Sequence, residues 1–412
     1  MTSVAVIGAG VSGLTAAYAL RGTHDVTLFE RDSRFGGHAH THTLADGLRI
    51  DSGFIVHNER TYPTLLRLFA ELGIETHVTE MSMSIRCDGC GLTYAGGRGA
   101  EGIFAQRRRI ADPRFLAMLT EVPRFHRAAR ALLAGTDDMT WGEFLSRGGY
   151  SDYFIRHFAI PLVSCVWSSG DEDTRLYPAR HLFAFLDHHG MLTINNSPTW
   201  RTVVGGSATY VQAIIDKLPA ARCSTPVVQV RRHDDGVDVT TADGVTTRFD
   251  QVVIATHADD ALRILADATD EERAALSAFR YSVNPTWLHT DDSVLPVEAG
   301  ARASWNYRLE ACNDAASGVL VSYWMNKLHG IDAAEDYVVT LNPQGRVDER
   351  RVIARMEYAH PVFTPEAVAA APAITAAGGP RLAFAGAHLG WGFHEDGARS
   401  GLAAAQKLGA TW

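Results

Sequence analysis

Apolar and polar positions follow three rhythms along the chain. Near the amino end a short apolar run, Val4–Ile7, precedes Gly8-Ala9-Gly10-Val11-Ser12-Gly13 and a helix-forming stretch from Leu14 to Leu20. A second run, "HDVTLFE", ends at Glu30. Strand, glycine turn, helix and strand in this order predict a parallel β-α-β unit. "MSMSIRCDGCGLTYAG" alternates with period two around Asp88-Gly89 and predicts a hairpin with a two-residue turn, flanked by Cys87 and Cys90. "DPRFLAMLTEVPRFHRAARALL" has helical spacing, interrupted by Pro123. Further on, "RYSVNPTWLHT", "ARASWNYRL", "GVLVSYWMNKL" and "DYVVTLN" predict an antiparallel sheet bearing Trp287, Trp305, Tyr323 and Trp324.

Composition narrows the class. The 412 residues are 46% hydrophobic and 21% charged, enough for two folding units with a sizeable core. A net charge of −9 gives no basic footprint for nucleic acid. Five cysteines, an odd number in a long chain, argue against a disulfide scaffold. No leader segment precedes the first strand and no window approaches a membrane span, so a cytoplasmic location is expected. Arginines are concentrated between Arg98 and Arg130. They read either as a solvated helix face or as a basic patch for peripheral contact with an inner-membrane surface or an anionic carrier.

The glycine turn carries the first chemistry. Gly8 allows the tight turn, Gly10 lets a pyrophosphate approach the backbone, and Gly13 lets helix and strand pack closely. The helix start, Val11 and Ser12, presents its positive end to phosphate. Glu30, followed by Arg31, ends the second strand where a carboxylate binds a ribose hydroxyl and repels a 2′-phosphate. A dinucleotide other than NADP is expected.

Beyond Glu30 the chain resembles the FAD-dependent amine oxidase superfamily. Arg34-Phe35-Gly36-Gly37-His38 is similar to its second phosphate loop, with His38 where an arginine is usual. "WRTVVGGSATYVQAI" resembles its glycine loop opening a helix, and residues 225–259 its adenine-side meander, with Val227 toward the adenine and Ala255-Thr256 closing the last strand. "RLAFAGAHLGWGFHEDGARSGLAAA" resembles the flavin motif, with Gly386-Ala387 at a strand end and Phe393-His394-Glu395-Asp396-Gly397 at a helix start. The resemblance implies FAD as cofactor and an α/β fold: a Rossmann-like, glutathione-reductase-type FAD domain (1–80, 195–270, 375–412) with an inserted α+β substrate domain (81–194, 271–374). No second glycine fingerprint for a nicotinamide domain is visible.

A finer resemblance, in "DSGFIVHNERTYPTLLRLFAELG", "SWNY", "YWMN", "VTLNP", "HPVF" and "GWGFHEDG", is to predicted NAD/FAD-binding flavoproteins associated with cyclopropane-fatty-acid-synthase-like methyltransferases. It implies oxidation of a hydrophobic acyl or lipid-like substrate, free, in a phospholipid or on a carrier, as in the desaturation leading to furan fatty acids. A methyltransferase is the implied functional partner. An amine, porphyrinogen or carotenoid-type oxidase using oxygen, and a non-catalytic flavin scaffold, are the alternatives.

For acid–base work the candidates are His57, Glu59 and His394. Arg60 and Tyr62 are candidates for fixing a head group, and Lys327 for holding a water. Trp167, Trp305, Tyr323, Trp324 and Trp391 are expected to line the substrate space, with Phe393 beside the flavin. Two stretches suggest metal. Cys87 and Cys90 have no second pair to complete four ligands, so a plain hairpin is expected. His38, His40 and His42 alternate on an expected strand, where neighbours point in parallel, so no metal is expected there either.

Overall fold

A computed structural model of the protein describes residues 1–167, 171–193, 197–312 and 320–412. The expected boundary between 194 and 195 lies outside the described residues.

Five parallel strands form the first sheet, in the order Ala220–Arg222, His24–Phe29, Thr2–Ile7, Gln251–Ile254, Leu382–Phe384. Both faces of the central strand are covered, as parallel sheets require. Val4 and Val6 pack into one apolar cluster with the first helix, Val11–Leu20, while Ala5 and Ile7 pack into another on the opposite side. All ten residues of that helix are buried. The last helix, His394–Lys407, lies against it at backbone contact, because a Cβ on Gly401 would stand 2.1 Å from the Ser12 carbonyl oxygen. A three-stranded antiparallel meander, Val227–His233, Gly236–Thr241 and Thr246–Phe249, sits between the strands ending at Arg222 and beginning at Gln251.

The second large sheet has seven strands, ordered Val352–Val362, Arg280–His289, Val338–Leu341, Leu320–Trp324, Trp305–Leu309, Met83–Cys87, Leu92–Gly96. Its strands between residues 280 and 362 pair antiparallel, as expected, and the sheet becomes mixed where the 83–96 hairpin joins it through a parallel pairing of Met83–Cys87 with Trp305–Leu309. That hairpin also differs in its turn. Cys87 pairs with Leu92, so residues 88–91 all lie in the connection.

The helix expected to break at Pro123 runs unbroken from Pro113 to Ala134. Pro123 removes one donor from the ladder. Burial of Phe115, Met118, Phe125, Ala129 and Leu132 offsets that loss, and Asp112 caps the start through the Arg114 and Phe115 amides. The arginines here are mostly spent within the molecule. Arg98 donates to the carbonyls of Ala299, Gly300 and Arg302, Arg108 to Gly91, Arg109 to Cys90, Arg124 to Gly148 and Gly149, and Arg130 to Leu192. These guanidinium groups bind loops to helices, while Arg107, Arg108, Arg114, Arg124, Arg127 and Arg130 stay exposed. Among the described residues no helix is long and apolar enough to cross a membrane.

Candidate active site

The glycine turn forms a cradle at the carboxyl ends of the parallel strands. Gly8 adopts φ +97° and donates to Phe29 O at 2.8 Å, while a Cβ there would meet Ala255 O at 2.7 Å. Gly10 is the opposite case, since a Cβ on it meets nothing within 4 Å. It caps the first helix with no side-chain bond, so the amides of Val11 to Gly13 are left for a ligand. Gly36 pairs with Gly10 in an isolated bridge, and a Cβ on Gly37 would lie 3.1 Å from Gly10 Cα. The two glycine loops therefore stack, leaving an open channel beside Gly10 that only backbone lines.

Glu30 is buried at the rim, accepting from the Ala9 and Asp32 amides at 2.8 and 2.9 Å. Arg31 points outward to Asp260 at 3.0 Å. Val227 is half-buried on the first meander strand, and the methyl of Thr256 lies beside Gly8. The glycine loop at 205–207 is held by buried Asp51, whose carboxylate accepts from Ser207 N, Ser207 Oγ and Thr41 Oγ1. Burial raises the Asp51 pKa, but His329 and these hydroxyls outweigh it and the net shift is downward.

At the last helix the chain runs, as the motif implies, from a strand ending at Phe384 to a helix start at His394. Gly386 is extended and donates to Ser400 Oγ, leading through Ala387 into the loop before the helix, which Gly397 closes by donating to Phe393 O. The Glu395 carboxylate accepts from Thr64 N and Leu65 N, both at 3.0 Å. It caps the Pro63–Leu72 helix, which has no side-chain cap of its own. Asp396 caps its own helix through Phe393 N at 3.1 Å and pairs with Arg399 at 2.8 Å. Burial pushes its pKa up to about 6.

The three candidate acid–base groups fall away for different reasons. His394 stacks on Phe54 at 3.8 Å and shares a 2.7 Å hydrogen bond with Tyr210, and burial pushes its pKa down to about 3. His57 is fully buried among Phe54, Tyr62 and Phe69, with a pKa lowered to about 4 by burial. Glu59 follows the strand end, is 67% exposed, and faces Arg201. Arg60 is exposed, Tyr62 is buried as the N-cap of the Pro63–Leu72 helix, and Lys327 is committed to Glu80 at 3.1 Å.

A group that sequence reasoning missed joins the two-stranded sheet of Thr41–Thr43 and Arg49–Asp51 to the strand Val352–Val362. Tyr358 Oη lies 2.7 Å from Ser52 Oγ and 2.9 Å from His40 Nδ1, and Ser52 Oγ lies 2.8 Å from His42 Nε2. His38 packs over Tyr358 with ring centroids 5.0 Å apart and faces His360 at 5.5 Å. Its buried Nε2 has no partner among the described residues. Burial holds the His38 pKa far below the ordinary value, lowers His40 to about 3 and His360 to about 4, and raises Tyr358 to about 12. The histidine repeat thus forms no converging triad. His38 lies in a turn, the strand begins at Thr41, and the rings of His40 and His42 are tied into the hydroxyl chain. Only the fold brings Tyr358, Ser52 and Asn284, which bonds His360 at 3.0 Å, to this place.

Register sorts the aromatic candidates. Trp305 pairs with Tyr323, Tyr323 with Val339, Val339 with Leu288, and Asn284 with Tyr358, so Trp305 and Tyr323 share the face of Tyr358. Trp324, one residue on, falls on the opposite face, donating to Asp336 at 2.8 Å. It is not a lining residue. Trp167 donates to Trp391 O and Trp391 to His181 O, both at 3.1 Å, and Phe393 stacks on Phe185 at 4.3 Å. These rings pin the loop before the last helix to the helical insert and form an aromatic wall.

The hairpin expected around Cys87 and Cys90 is present, and the fold adds neighbours that spacing does not show. Although no second CxxC pair exists, folding brings Cys312 and His157 to Cys87 and Cys90, with all four donor atoms within 4.8 Å of one another.

The cradle fits FAD on two observations, the open backbone channel beside Gly10 and the unpartnered buried Nε2 of His38. Comparison with known proteins agrees. The family model for flavin containing amine oxidoreductase matches residues 11–409. No curated protein matches the sequence. Among solved structures, cyclohexylamine oxidase from Brevibacterium oxydans IH-35A is similar with a TM-score of 0.72 at 16% identity, covering 99% of this chain and 98% of that one. Putrescine oxidase with putrescine bound gives 0.73 at 14%, over 99% and 98%. A CLA-producing fatty acid isomerase from P. acnes gives 0.69 at 17%, over 97% of each.

Proposed function

The chain belongs to the flavin containing amine oxidoreductase family and is an FAD-dependent oxidoreductase, and within that family we propose that it desaturates a hydrophobic, acyl-chain-like substrate. The observation that carries this reading is the character of the groups around Tyr358. Aromatic rings and imidazoles that burial keeps neutral make up the wall, and the nearby carboxylates are already engaged, Glu395 and Asp396 in helix caps and Asp51 in the Ser207 loop. Such a wall favours a hydrocarbon chain and offers no anion to a cationic amine. The likeness in fold to a fatty acid isomerase supports the same class, and the likeness to two amine oxidases supports the alternative.

When bound, FAD supplies hydride acceptance. The chain's own residues handle the other half, the proton. Trp305 and Tyr323 align the chain against the sheet face and exclude water. Tyr358 Oη takes the proton from the carbon adjacent to the hydride-losing one while passing its own to Ser52 Oγ, which passes one to half-buried His42. A concerted relay accumulates no charge on a buried phenol, so the high Tyr358 pKa does not oppose it. One C=C bond forms for one hydride and one proton lost.

The test is anaerobic mixing of the purified yellow protein with phospholipid-bound, carrier-bound and free fatty acyl chains. Loss of flavin absorbance with one of these, and a product lighter by two hydrogens, is expected. Bleaching by amines alone, with hydrogen peroxide on admission of air, would replace this reading by amine oxidation.

A further inference from the structure

We propose that Cys87, Cys90, His157 and Cys312 form a zinc(II) site of three thiolates and one imidazole, which ties the edge of the seven-stranded sheet to the helical insert. It shares no residue with the cofactor cradle and does not depend on the substrate reading.

The distances fit a tetrahedron. Zn–S bonds of about 2.3 Å and a Zn–N bond of about 2.0–2.1 Å imply S···S separations of about 3.8 Å and S···N of about 3.5 Å. Cys87 Sγ lies 3.6 Å from Cys312 Sγ, and Cys90 Sγ lies 3.5 Å from His157 Nε2. All four donors lie within 4.8 Å of one another. A disulfide requires about 2.05 Å between sulfurs and leaves the imidazole without a role.

The surroundings are built for ligation. His157 sits in a π-helical turn, Ile155–Ala159, a local widening that occurs mostly at functional sites. Its Nδ1 lies 3.0 Å from Tyr153 O, the carbonyl partner that fixes the tautomer and leaves the Nε2 lone pair facing Cys90. His157 is 1% exposed, and its own carbonyl accepts from Tyr94 Oη at 2.7 Å. The connection between the cysteines is equally specified. A Cβ on Gly89 would stand 2.9 Å from Cys312 N, and Gly91, at φ +62°, turns the chain back directly after Cys90.

Charge also balances. Zinc(II) with three thiolates and a neutral imidazole carries one net negative charge, and three thiol protons leave on binding. Arg109 donates to Cys90 O and Arg156 to Cys312 O, each at 3.1 Å, which sets two guanidinium groups beside the site. Zinc is favoured over a softer redox metal by the mixed sulfur and nitrogen donors and by the closed set of four, two of them buried and two half-buried.

The experiment is elemental analysis of the full-length FAD-loaded protein, purified without a histidine tag under reducing conditions, incubated with zinc sulfate and desalted. About one zinc per chain is expected, with more than tenfold loss in Cys90→Ser and His157→Ala and no change in Cys223→Ser, which alters an exposed cysteine outside the cluster. Should the first two variants fail to fold, cobalt(II) exchange into the wild-type protein answers the same question, through thiolate-to-metal charge transfer and tetrahedral ligand-field bands. Absence of both zinc and the cobalt spectrum would overturn the proposal. So would iron with acid-labile sulfide, or a Cys87–Cys312 disulfide mapped in freshly isolated protein.

Discussion

The hydroxyl of Tyr358 lies 2.7 Å from that of Ser52, across 306 residues of chain. The bond joins the strand Val352–Val362 of the seven-stranded sheet to the segment that follows the strand Arg49–Asp51. Tyr358→Phe keeps the ring that packs on His38 and removes the link. Turnover is expected to fall by about 10²-fold, the usual worth of a positioned proton-transfer group, with FAD content unchanged. Stopped-flow reduction with the acyl substrate checks it, and an unchanged rate would remove Tyr358 from the reaction.

Contact between the first and last helices is equally exacting. A Cβ on Gly401 would meet the Ser12 carbonyl at 2.1 Å, so Gly401→Val must separate two helices whose ends form the cradle. A loss of about 3 kcal/mol is expected, together with weakened FAD binding. Gly22→Ala, where a Cβ meets nothing within 4 Å, should change stability by less than about 0.5 kcal/mol. Urea unfolding of both variants measures the contrast.

Glu395→Ala removes the acceptor for the Thr64 and Leu65 amides at a helix start that has no local cap. About 1–3 kcal/mol of stability should be lost. Glu395→Gln keeps one acceptor oxygen and should recover part of it. A Gln variant as unstable as Ala would mean that charge at the helix start, not the hydrogen bonds, is what stabilises it.

Stability should fall steeply in acid. His57, His388 and His394 are buried, and burial holds them near pKa 4, 3 and 3 in the fold, against about 6.5 unfolded. Below pH 6.5 the unfolded chain takes up protons that the native chain refuses, so stability drops as pH falls through that window toward 4. Three such groups give a slope of about 4 kcal/mol per pH unit near pH 5. Denaturant midpoints between pH 7 and 5 measure it, and a flat profile would mean that these imidazoles protonate in place.

The glycine fingerprint was legible because its physics is local. Gly8, Gly10 and Gly13 are spaced by the geometry of one turn and one helix start, and Glu30 by the length of one β-α-β unit. The partners of the Glu395 and Asp396 carboxylates were not legible, because a motif specifies the main-chain path of a helix start, while which neighbour takes a carboxylate depends on what packs there. Trp324 was misplaced among the lining residues because strand parity can be known only once the register is.

Taken alone, the sequence determined the β-α-β unit and its glycine turn, since these rest on contacts within a few tens of residues, and the resemblance of its separated motifs implied the class of fold and FAD. The tertiary structure decided the rest. The Ser52–Tyr358 hydroxyl chain spans 306 residues and the Cys87–Cys312 pair spans 225. Groups so far apart in the chain carry no shared spacing or period. Their meeting depends on which distant strands pair and what packs beside them, and a linear pattern has no coordinate for that.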